Sequence, residues 1–115
     1  MRPFCISLLL TCGAAFPAHA DTDDHNYPTS ARVEYVQECI EKKGGVIANI
    51  YKCSCAIAWI ARKLTYDEYV EAQTYSKYAT LPGEGGGIFR DTSDAKEKAK
   101  LYRSLEADAF KGCGL

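Results

Sequence analysis

The closest pair of the six cysteines, Cys53 and Cys55, is separated only by Ser54. A dithiol this tight can exchange disulfides or grip a soft ion such as Cu(I), because a thiolate is both a nucleophile and a soft ligand. Redox motifs, however, place two residues between their cysteines at a helix N-terminus, and Cys53 falls within an apolar stripe. The preferred reading is therefore structural, with thiol–disulfide exchange or Cu(I) handling by Cys53 and Cys55 as the alternative. A zinc site assembled from Cys39, Cys53, Cys55 and Cys113 lacks the paired spacings of such sites.

The other reactive-looking residues fare no better as catalysts. His25 is the only histidine beyond residue 20, and it stands among Asp21, Asp23 and Asp24 in a segment, 21–29, with no apolar period. That composition predicts a disordered lead-in, where no general base can be held within about 3 Å of a partner. The same acids fail as an EF-hand, since Asn26 occupies the required glycine and Arg32 the last ligand position. Glycines 83, 85, 86 and 87 lack the Lys-Ser/Thr that follows a phosphate loop, and Pro82 beside them argues for an irregular, mobile loop. Its neighbour Ile88-Phe89-Arg90 sets an apolar pair beside a charge and is the expected contact point. Asp67, Glu68 and Glu71 read as first-turn charges favoured by the helix dipole. Tyrosine is abundant, with eight residues. Tyr66, Tyr69 and Tyr78 cannot all share a helical face with Tyr75, so some must be exposed or line a groove, and Tyr66 and Tyr69 are candidate partner contacts. No catalytic constellation, metal-ligand set or cofactor motif emerges, so a non-enzymatic protein is expected.

What positions these residues begins at the N-terminus. Met1-Arg2, an apolar run over 4–10 that continues to Phe16, and Ala18-His19-Ala20 before Asp21 follow the grammar of a secretory signal cleaved after Ala20. The run is too short for a membrane span, which needs about 20 apolar residues. Thr11 is a poor residue before a lipidated Cys12. Removing 1–20 takes Arg2 from the 14 basic residues and none of the 15 acidic ones, leaving a net charge of about −2 and no electrostatic case for nucleic acid or an anionic membrane. The partner class left is a periplasmic protein or a small ligand.

One all-α domain over 30–115 is predicted, with helices at about 30–43, 49–64, 66–79 and 93–111. Val33, Val36 and Ile40 set the period of the first, which Gly44-Gly45 ends. Ile50, Cys53, Ile57, Ile60 and Leu64 form one stripe of the second, with Trp59 and Cys55 opposite, so this helix should be central. Thr65 and Glu68 form a capping box for the third. Ala95, Ala99, Tyr102, Leu105 and Ala109 form the buried face of the fourth. Four cysteines in an oxidising compartment predict two disulfides. The midpoint of Cys39 and Cys53 falls in the turn between the first two helices, which favours Cys39–Cys53 with Cys55–Cys113. Cys39–Cys55 with Cys53–Cys113 remains open.

The segments Tyr51-Lys52-Cys53-Ser54-Cys55-Ala56-Ile57-Ala58, Leu64-Thr65-Tyr66-Asp67-Glu68-Tyr69-Val70-Glu71-Ala72 and Gly85-Gly86-Gly87-Ile88-Phe89-Arg90-Asp91 resemble a family of small exported four-cysteine helical proteins of proteobacteria, associated with periplasmic quinoprotein alcohol oxidation. The resemblance spans residues 30–115. It implies export and a helical domain, and brings no catalytic residues with it.

Overall fold

A computed structural model describes residues 25–115. The expected signal at 1–20, the cleavage site expected after Ala20 and residues 21–24 lie outside the described residues. Four long helices, α1 (Thr29–Lys42), α2 (Ile50–Ala61), α3 (Tyr66–Tyr78) and α5 (Ser93–Cys113), are joined by 3-10 turns at Ile47–Asn49 and Glu84–Gly86 and by the one-turn helix α4 (Gly87–Arg90). No strand occurs among the described residues.

The helix boundaries follow from local chemistry. Gly44 and Gly45 take φ of 87° and 73°, a left-handed conformation that closes α1 and that a side chain would oppose. At α3 the Thr65 hydroxyl accepts from the Glu68 N–H (3.3 Å) while the Glu68 carboxylate accepts from the Thr65 N–H (2.8 Å). That backbone donor holds the Glu68 carboxyl below its ordinary pKa. Glu71, further along, pairs with Lys98 of α5. The Thr92 hydroxyl caps α5 through the Ala95 N–H (3.2 Å), and Gly114 at φ 75° ends it.

Helix α2 is central, packing on both α1 and α5, with Cys53, Ala56, Ile57, Ile60 and Ala61 buried. Burying Ile57 and Ile60 contributes about 2–3 kcal/mol each. Small residues Ala72, Ala95 and Ala99 let α3 and α5 approach closely. Contacts of Tyr69 with Tyr102 and of Glu71 with Lys98 show that these two helices run in opposite directions. The bridges are Cys39–Cys53 and Cys55–Cys113, each with Cα atoms 5.9 Å apart. Two residues along a helix turn it by about 200°, so Cys53 and Cys55 reach different neighbours.

Two expectations need correction. The end of the lead-in is part of the fold: Tyr27 is 4% exposed, its ring centroid 5.3 Å from Tyr66 and 5.0 Å from Tyr69. Its hydroxyl donates to the Leu64 carbonyl (3.0 Å), and His25 Nδ1 donates to the Ala61 carbonyl (2.7 Å). The last carbonyls of a helix lack intrahelical donors; His25 serves the last residue of α2, and Tyr27 serves the turn that follows it. The glycine segment, for its part, carries helical turns. A Cβ on Gly86 would collide with the Leu81 carbonyl, so glycine permits the chain to fold back there. Arg90 then stitches the segment shut, donating to the carbonyls of Leu81 (2.8 Å) and Gly83 (3.2 Å).

Candidate functional site

Helix α1 carries two apolar stripes. Ala31, Tyr35 and Cys39 face the core, while Val33, Val36 and Ile40 lie roughly 130° around the helix. The second stripe forms one wall of a groove of about 480 Å³ whose other wall is Ile47 and Ile50, with the buried Ile57 also lining it. Around this groove Ile47 is 71% exposed, Val46 52%, Val33 50% and Ile50 40%. These four aliphatic residues leave apolar surface in water at and beside the groove.

Two of the polar groups at the groove, those of Ser54 and Arg32, are already engaged. The Ser54 hydroxyl donates to the Ile50 carbonyl (2.7 Å). Arg32 donates through Nε to the Tyr27 carbonyl (3.4 Å) and lies 5.6 Å from the centre of the Tyr27 ring. Among the described residues no carboxylate, histidine or cysteine lines the groove. An occupant would be held by desolvation of aliphatic surface, not by charge or covalent chemistry.

The tyrosines expected to meet a partner instead build the core. Tyr69 is buried between Tyr27 and Tyr102, and Tyr66 is half-buried against Tyr27, so Tyr69 offers no free face and Tyr66 only part of one. Burial pushes the phenols of Tyr27, Tyr35, Tyr69 and Tyr102 above their ordinary pKa of 10.0. Glu106 Oε1 accepts from the hydroxyls of Tyr35 (3.2 Å) and Tyr102 (3.4 Å) and from Lys42 (3.4 Å). Of the expected contact triplet, Ile88 is 67% exposed, Arg90 is spent on Leu81 and Gly83, and the Phe89 side chain lies outside what is described. Helix α4 packs on α3 and α5, so the triplet does not join the α1–α2 groove in one site. Cys53 and Cys55 sit in separate bridges and do not form a dithiol.

Sequence reasoning missed Val46 and Ile47, although two aliphatic residues directly after Gly44-Gly45, where a turn should be polar, were a usable signal. Fold and site together define a disulfide-cross-linked all-α domain with an open aliphatic groove. No protein-family model matches the chain, and neither does any curated protein or solved structure.

Proposed function

We propose that this is a small exported accessory protein, non-enzymatic, that binds an amphipathic helix of a periplasmic partner in the groove between α1 and α2. The groove is the observation that carries the reading. Val33, Val36 and Ile40 follow the three- and four-residue steps of one side of a helix–helix seam, and Ile47 and Ile50 supply the facing wall. Helix-in-groove recognition uses such a surface, filled by side chains at i, i+3, i+4 and i+7 of the guest. Two disulfides in a small domain fit an oxidising compartment, as the N-terminal signal grammar does. No described helix is long and apolar enough to cross a membrane. The resemblance noted above directs the search for the partner to exported quinoprotein alcohol-oxidising systems.

The test uses a synthetic leucine-rich amphipathic peptide and backbone amide NMR of the mature protein. Shifts should concentrate at Val33, Val36, Ile40, Ile47 and Ile50, and Ile47→Asp should weaken binding at least tenfold. Ile47 is so exposed that this change leaves stability within about 0.5 kcal/mol. Shifts confined to α4, or no binding, would refute the groove as the site. A concentration-dependent dimer abolished by Ile47→Asp would mean that a second copy is the occupant.

A further inference from the structure

The two bridges differ sharply in their access to solvent. Cys39 and Cys53 are 1% and 0% exposed, whereas Cys55 is exposed and Cys113 half-buried. Thiol–disulfide exchange requires a thiolate to reach a sulfur directly, so access separates bonds of like chemistry. Cys113 is the last residue of α5. The turn it ends also packs on the core through Phe110, Cys113 and Leu115, which are partly buried against it. Gly112 lies beside the indole of Trp59, Lys43 Nζ sits 4.1 Å from the centre of the Phe110 ring, and the Lys52 side chain reaches Gly114. Upstream, α5 is anchored by buried Ala95, Ala99, Tyr102 and Ala109.

We propose that Cys55–Cys113 is a thiol-addressable latch: a dithiol reductant opens it and frees the last turn of α5 from α2, while Cys39–Cys53 keeps the α1–α2 hairpin closed. One thiolate of the reductant attacks a sulfur of the bridge. The S–S bond breaks, the other cysteine leaves as a thiolate, and a mixed disulfide forms. The reductant's second thiolate resolves that bond, so the reductant ends as a disulfide and Cys55 and Cys113 as two thiols, with two electrons and two protons transferred. The inference is independent of what occupies the groove, because the groove is held by the other bridge.

Dithiothreitol serves as the probe on the oxidised mature protein, with timed quenching, alkylation and peptide mass mapping. Cys55 and Cys113 should be alkylated at least tenfold faster than Cys39 and Cys53, with the far-ultraviolet circular dichroism unchanged. Trp59 is the only tryptophan, so its emission should shift to the red with the same time course. Equal alkylation rates for the four cysteines, or loss of helix with the first bridge, would overturn the latch. The paired variant Cys55→Ser with Cys113→Ser should fold and show the emission of the half-reduced protein. Emission like that of the oxidised protein, or failure to fold, would refute the idea equally.

Discussion

Replacing Tyr27 by alanine asks whether residues before α1 are tail or core. The side chain is 4% exposed, packs on the rings of Tyr66 and Tyr69, and donates to the Leu64 carbonyl. Truncating a buried aromatic of this kind costs about 3–5 kcal/mol, because the cavity left behind relaxes only partly. Tyr27→Phe keeps the ring and removes only the hydrogen bond, so it should cost about 1 kcal/mol. The difference between the two variants isolates packing from hydrogen bonding. Urea unfolding followed by circular dichroism, with both bridges intact, would read the alanine variant as a midpoint lowered by about 2 M or more at an ordinary small-protein m-value. His25→Ala, at an exposed residue that serves one carbonyl, should cost about 1 kcal/mol or less. If Tyr27→Ala shifts stability by less than about 1 kcal/mol, the segment is a solvated tail and the reasoning from burial fails.

Glu106→Ala strands the buried hydroxyls of Tyr35 and Tyr102 and should cost about 2–4 kcal/mol in calorimetry, whereas Glu106→Gln retains an acceptor and should cost about 1 kcal/mol. Chain entropy ranks the bridge spanning 58 residues above the one spanning 14, at about 4 against about 3 kcal/mol. Paired serines at Cys39 and Cys53 also bury two hydroxyls, at about 1–3 kcal/mol each if unpaired, so denaturant melts should reverse that order. Stability should also fall as pH rises past about 10. The four buried phenols stay protonated in the folded state, while the unfolded chain ionises at its ordinary value of 10.0, so the folded advantage is complete below that value and lost above it. Only about half of the eight phenols should ionise before the helical signal is lost, and the absorbance of the four buried ones should appear together with that loss. Ionisation of all eight with helix retained would contradict the burial of these rings.

Much of the frame was legible because its signals are local. Thr65 and Glu68 announce the start of α3 within four residues, and the bridge at Cys39 and Cys53 follows from their symmetric placement about one turn. Tyr27 was not legible, since its partners lie 37 and 38 residues away and its neighbours are polar, giving no period to read. Glu106 looked like one more surface acid of α5, and only the convergence of Tyr35, Lys42 and Tyr102 gives it a role. The tyrosines show the same limit. Residue type marks an amphipathic ring, but which end meets water depends on helices placed by tertiary contacts. For α1, periodicity detected Val33, Val36 and Ile40 correctly as an apolar stripe, yet a stripe does not say whether a neighbour covers it.

That uncovered stripe bears on why a disulfide stands where it does. Val33 of that stripe is 50% exposed and Val36 and Ile40 are only half-buried, so α1 leaves apolar burial unused. Helix α1 makes most of its contacts with α2, and its ties elsewhere are sparse, chiefly Tyr35 to Glu106 and the Glu38–Lys77 ion pair at 2.6 Å. A helix so held would be expected to turn its better apolar face inward and close the groove. The Cys39–Cys53 bond prevents that rotation, because it fixes which side of α1 faces α2. The covalent link thus holds the core face with small and aromatic residues and keeps the branched aliphatic face outward. On this argument the groove depends on the buried bridge, so reducing Cys39–Cys53 should abolish peptide binding before the helices melt, whereas opening Cys55–Cys113 should leave it intact.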